Sequence, residues 1–130
     1  LNRSRVISTF YEDLYNQLTS VLPVSKIQQN YEIPNLPQAA NYPVDFYFEG
    51  KAGNPVFLFG IPNKDKARLT TIFLQHYLQH NIEFDSLLVF ENQETLPRND
   101  LSRLSNVGGE QISSLTAFDD FQRKIKNKAA

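Results

Sequence analysis

Hydrophobic and polar positions change period several times along this chain, and each change marks an element. From Val6 to Leu22 the residues Ile7, Phe10, Tyr11, Leu14, Leu18, Val21 and Leu22 recur at helical spacing. Glu12, Asp13, Asn16 and Gln17 fall on other faces. This predicts an amphipathic helix that Pro23 ends. Ile27, Tyr31 and Ile33 alternate with Gln29 as a weaker, half-exposed strand, and Pro34 and Pro37 make the following stretch a loop. Val44, Phe46 and Phe48 then share one side of a strand whose other side carries Asp45, Tyr47 and Glu49, and residues 50–54 read as a hairpin turn.

Val56 to Ile61 is almost continuously apolar, the mark of a strand covered on both faces, and Pro62 closes it. Asn63 can cap a helix in which Leu69, Ile72, Phe73, His76 and His80 form one stripe and Leu74 and Leu78 a second, together predicting its buried face. Phe84 to Phe90 reads as another interior strand, and a strand, helix and strand of this length make a parallel pair. Pro97 to Leu104 follows as a short helix, with Gly108-Gly109 expected to stop it at positive φ. Gln111-Ile112 predicts a brief edge strand. Thr116 is the expected cap of a last helix that buries Phe118, Phe121 and Ile125 and frays at Lys124 to Lys128. The fold class is therefore α/β, bordering on α+β, with a mixed sheet of four to five strands flanked by helices.

Composition narrows the chemistry. A length of 130 residues suits one domain with one sheet, and 41% hydrophobic residues exclude a disordered or fibrous chain. With no Cys, thiolate metal sites, disulfides and a Cys nucleophile are excluded. A net charge of −1 argues against a protein dedicated to coating nucleic acid. No apolar run approaches a membrane span, and Leu1 to Arg5 lead into no signal-like core, so the cytoplasm is the default compartment. A chain that begins at Leu1 and contains no Met is expected to be a piece of a longer protein.

The order helix, three strands, helix, strand, with Tyr42-Pro43-Val44-Asp45-Phe46 on the second strand, resembles the core of the PD-(D/E)xK nuclease-like superfamily. The resemblance implies a restriction-endonuclease-like scaffold in which Asp45 stands at the first metal-binding acid. The acid and Lys expected on the third strand are absent, because that strand reads Phe57-Leu58-Phe59-Gly60-Ile61 and offers no side-chain oxygen or ammonium. Phe10-Tyr11, Val44-Asp45-Phe46, Ile61-Pro62-Asn63-Lys64 and Phe90-Glu91-Asn92 also resemble the C-terminal domain of bacterial and phage proteins of the domain of unknown function 1828/1829. That resemblance implies a further N-terminal partner domain and no established activity.

Several side chains are candidates for chemistry. Asp45 is the candidate catalytic acid. Glu49 shares its strand side but stands roughly 13 Å along the strand, and Glu12 reads as a surface carboxylate. Lys64, Lys66 and Arg68 open a helix whose N-terminus favours anions, so they are the candidate phosphate or nucleic-acid ligands. His76 and His80 have the spacing of two zinc ligands on one helix, without the intervening Glu or a third partner. Arg123, Lys124, Lys126 and Lys128 suit a helix C-terminus without any ligand. Three readings remain open. The first is a non-catalytic nuclease-like domain that binds protein or nucleic acid and needs no cofactor. The second is a divergent nuclease that uses Asp45, Mg²⁺ and a Lys displaced to Lys64 or Lys66. The third is an oligomerisation module that uses an exposed Tyr47.

Overall fold

Phe57, Leu58 and Phe59 on one strand and Leu87, Leu88 and Val89 on the next are all but inaccessible to solvent, which fixes the middle of the sheet. The computed structural model describes the backbone of residues 3–130 and the side chains of residues 7–130. Leu1, Asn2 and the Val6 side chain, at which the periodicity begins, lie outside the described residues. The elements are α1 (Arg3–Val21), β1 (Gln28–Tyr31), β2 (Val44–Glu49), β3 (Pro55–Ile61), α2 (Lys64–Gln79), β4 (Asp85–Phe90), α3 (Arg98–Val107), β5 (Glu110–Ile112) and α4 (Phe118–Lys128). No helix among the described residues is long and apolar enough to cross a membrane.

The five strands lie in sequence order, antiparallel from β1 to β3 and parallel from β3 to β5. The α/β fold with a mixed sheet is thus the architecture observed. Phe10, Leu14 and Leu18 of α1 join Phe121 and Ile125 of α4 over one face of the sheet. Ala67, Leu74 and Tyr77 of α2 join Leu104 of α3 over the other.

Four local expectations are corrected. The buried face of α2 is Ala67, Thr70, Thr71, Leu74 and Tyr77, whereas Leu69, Ile72 and Leu78 are exposed. Small threonines let the helix sit close to the sheet, and the Thr71 hydroxyl donates to the Ala67 carbonyl at 2.9 Å, so it needs no water. Gly108 has φ −98° and ends α3 without a left-handed residue. It and Gly109 serve close approach instead, since a Cβ would stand 2.6 Å from Leu88 Cδ1 and from the Ser86 carbonyl oxygen, respectively. Thr116 does not cap α4; its hydroxyl pairs with Ser114 at 2.6 Å, and Phe118 is exposed. The C-terminal lysines do not fray: α4 runs to Lys128, and Ala130 N–H bonds the Glu49 carbonyl at 3.1 Å.

The strict alternation read for β2 also breaks. Phe46 and Phe48 pack under α1, but Val44 packs under α2. The break lies at Asp45. Opposite it on β1, Asn30 adopts φ 51°, a left-handed value that Asn tolerates, and Ile27 and Tyr31 likewise part to different faces. Pairing of β2 with β3 stops at Phe46 and Leu58. The two strands separate there, and the site described next is built where they part.

Candidate functional site

Gly60 lies near the end of β3, directly under α1. A Cβ on it would meet Phe10, Tyr11 and Leu14 side-chain atoms, each at 2.9 Å, so only glycine lets the helix come this close. Its N–H, left without a strand partner where β2 separates, donates to Asp45 Oδ2 at 2.9 Å. The carboxylate thus closes the gap in the sheet.

Lys66 completes the arrangement from the first turn of α2. Asn63 caps that helix by accepting the Lys66 N–H at 2.9 Å, which fixes where the Lys66 side chain begins. Its ammonium then donates to Asp45 Oδ2 at 2.6 Å, to the Tyr11 hydroxyl at 2.8 Å and to the Gly60 carbonyl at 3.2 Å. An ammonium has three N–H donors, and all three are taken. The Tyr11 hydroxyl in turn donates to the Gly60 carbonyl at 3.1 Å, and the rings of Tyr11 and Phe59 flank the charge at 5.2 and 5.9 Å.

The pair is mostly shielded, with the Lys66 and Asp45 side chains 15% and 20% exposed. Burial works against the Lys66 charge, but the Asp45 carboxylate and the Tyr11 hydroxyl outweigh it and hold the ammonium's pKa above the usual 10.5. Burial, aided by Asp45 and opposed by Lys66, raises the Tyr11 phenol above 10.0. A neutral, hydrogen-bonded Tyr11 is therefore no nucleophile near neutral pH.

Above this pair opens a cleft of about 430 Å³ lined by Ser8, Tyr11, Glu12, Tyr15, Asp45 and Phe46 together with Gln29 and Asn30 of β1. Glu12, read from the sequence as an ordinary surface carboxylate, shares a cleft with Asp45. Glu49 does not, lying on a separate hollow beside Ala129 and Ala130.

The remaining candidates are dispersed. Lys66 and Arg68 turn to different carboxylates, Arg68 to the buried Asp100 at 3.0 Å, while Lys64 is exposed, so these cations do not form one phosphate cradle. His76 stacks on Tyr42 at 3.8 Å and its Nε2 lies 2.9 Å from the Pro37 carbonyl. His80 is exposed with its ring centred 4.6 Å from that of His76. Tyr47 stacks on Tyr31 at 4.1 Å, so its ring is engaged within the chain. Arg123 and Lys124 pair with Asp120 on their own helix.

A divalent cation would need several oxygen ligands converging on one point. Of the oxygens gathered here, Asp45 Oδ2, the Gly60 carbonyl and the Tyr11 hydroxyl already surround the Lys66 ammonium, and no group of three His, Cys, Asp or Glu among the described residues is placed to hold a metal. As it stands, the donor set does not fit Mg²⁺. Comparisons of the chain with protein-family models, curated proteins and solved structures find no match.

Proposed function

We propose that this chain is a non-catalytic binding domain that keeps a nuclease-like arrangement of strands and uses it as a rigid support for another macromolecule, protein or nucleic acid. One observation carries the reading: every donor of the Lys66 ammonium is spent on oxygens of the chain itself. In a metal-dependent nuclease, an Asp at this place shares a metal that activates water. Here Lys66 supplies the positive charge from within, so Asp45 is neutralised and the separated strands are tied together without an external ion.

A second reading has its own support. The Asp45 to Lys66 contact is the one required if the third-strand Lys has moved to the next helix, and Glu12 offers a second carboxylate on the same cleft. Incubating plasmid DNA with the chain in Mg²⁺ or Mn²⁺ separates the two. The binding-domain reading expects intact plasmid. Cleavage that disappears in Asp45→Asn would replace it with the nuclease reading. Gel-shift and co-purification experiments that both find no partner would remove the binding role itself.

A further inference from the structure

The cleft over Asp45 holds polar groups that the chain itself does not use. Ser8, Glu12, Tyr15, Gln29 and Asn30 line it, and among the described residues none of their side-chain atoms is engaged in a hydrogen bond or an ion pair. Asp45 gives Oδ2 to the Gly60 N–H and to Lys66 and keeps Oδ1 free. The hollow that follows β4 and β5 is different, because its groups are consumed within it. There Asn92 accepts from the Glu94 N–H, Gln93 donates to Gln111, and Ser114 pairs with Thr116.

Charge decides what such a cleft attracts. Lys66 cancels the charge of Asp45, and no cation lines the cleft among the described residues, so the Glu12 carboxylate leaves it with an uncompensated negative charge. Phosphates and carboxylates are repelled from it, and cations are drawn in. Its walls favour a cation too. Tyr15 lies three residues after Glu12 on α1, hence on the same side of the helix, and its ring stacks near Phe46 of β2 with centroids 6.2 Å apart. The faces of such rings attract positive charge. The free acceptors are Glu12, Asp45 Oδ1 and the amide oxygens of Gln29 and Asn30. They outnumber the three donors of an ammonium and suit the five of a guanidinium, whose planar, weakly hydrated head also lies flat on a tyrosine ring.

We propose that this cleft receives an arginine side chain of a partner protein, with its guanidinium paired to Glu12 and stacked on Tyr15. The inference rests on the binding-domain reading and narrows its partner to a protein, since the phosphates of a nucleic acid would meet the Glu12 charge and an arginine neutralises it. Lys66 keeps all three of its bonds when the cleft is filled, because the guanidinium takes acceptors that Lys66 leaves unused. Support and recognition are thus divided: Lys66 ties α2 to β2, and side chains of α1 and β1 meet the partner.

N-acetyl-arginine amide titrated into the ¹⁵N-labelled chain is expected to shift the side-chain NH₂ signals of Gln29 and Asn30 saturably. N-acetyl-citrulline amide, of the same shape without the charge, is expected to leave them in place. Glu12→Gln should weaken binding about tenfold, as the loss of a charge-assisted hydrogen bond does. Glu91→Gln, at an exposed carboxylate on the hollow beyond β4, should leave it unchanged. Glu12 is exposed, so the rest of the spectrum should show its variant folded. No saturable shift at any concentration the arginine derivative reaches, an equal response to citrulline, or an unaltered affinity in Glu12→Gln would overturn the proposal. Shifts of the same signals by a short oligodeoxynucleotide but not by the arginine derivative would overturn it in favour of nucleic acid. Failure of the binding-domain reading is distinguishable, because it appears as plasmid cleavage; an unresponsive cleft beside intact plasmid sinks this inference alone.

Discussion

Lys66 Nζ lies 2.6 Å from Asp45 Oδ2, although one residue belongs to the first turn of α2 and the other to the break in β2. Neither can be removed without stranding the other in a mostly shielded place. Breaking a buried ion pair by deleting one partner costs about 3 to 5 kcal/mol, and the residual exposure of this pair brings the expectation down to about 2 kcal/mol. Lys66→Met should therefore lower the unfolding free energy in urea by about that much. Asp45→Ala should cost more than Asp45→Asn, since it also orphans the Gly60 N–H. Losses within a few tenths of a kcal/mol would mean that the pair is a surface ornament.

Alkaline pH should undo the same arrangement. Lys66, Tyr11 and Tyr77 all have raised pKa values in the folded chain, Tyr77 chiefly through burial with a contribution from Asp45. For each, the folded state holds its proton to higher pH than the unfolded state does. The stability they contribute is thus fully present below the unfolded values of 10.0 and 10.5 and declines as pH rises through the folded ones. Thermal melts should be level on this account up to about pH 9.5 and fall above it. Lys66→Met should make that fall shallower. Phenolate absorbance should show tyrosines that titrate only as the chain unfolds.

Gly60→Ala tests how closely α1 must approach. The new methyl would meet three side chains of α1 at 2.9 Å and push Tyr11 away from Lys66. Overpacking of this kind costs about 1 to 3 kcal/mol. Chemical denaturation should show a loss in that range, and the Lys66→Met background should reduce it, because the two changes disturb one network. Strict additivity would argue that Gly60 and Lys66 act separately.

Arg68 and Asp100 form a second ion pair, this one between two helices, at 3.0 Å from α2 to α3, with Asp100 buried and Arg68 about half exposed. Asp100 Oδ2 has no hydrogen-bond partner, so the carboxylate depends heavily on Arg68. Arg68→Ala should therefore lower stability by more than the loss of an exposed arginine ordinarily does, because it strands the buried Asp100 carboxylate. Arg98→Ala on α3, at an exposed position, should stay within about 0.5 kcal/mol in the same denaturation experiment.

Much of the fold was legible because its signals are local. The apolar run of β3, the strand at Phe84 to Phe90 and the helix length between them specify a parallel crossover, and Asp45 stood out as the only acid inside the Val44 to Phe48 alternation. What the alternation could not show was its own interruption: Asn30 and Asp45 break it together, on two neighbouring strands whose register the pattern of either one alone does not give. The face of α2 was misread because Leu69 and Ile72 outweigh Thr70 and Thr71 in hydrophobicity, whereas close packing against the sheet favours the smaller residues. Lys66 held a usable clue. It lies four residues before Thr70 and beside Ala67, on the margin of the stripe that α2 buries, and so was better placed to turn inward than Lys64. Glu12 offered no such clue, because its place on the cleft depends on where β1 ends up.

The Gly60 amide reports directly on whether Lys66 stands in for a metal, since that N–H is bonded to Asp45 Oδ2. Paramagnetic Mn²⁺ titrated into the ¹⁵N-labelled chain broadens the amide resonances near any site it occupies. The account predicts that the Gly60 resonance keeps its width in the unmodified chain and broadens only in Lys66→Ala, where the ammonium no longer fills its place. Selective broadening of Gly60 in the unmodified chain, absent from Asp45→Asn, would contradict it.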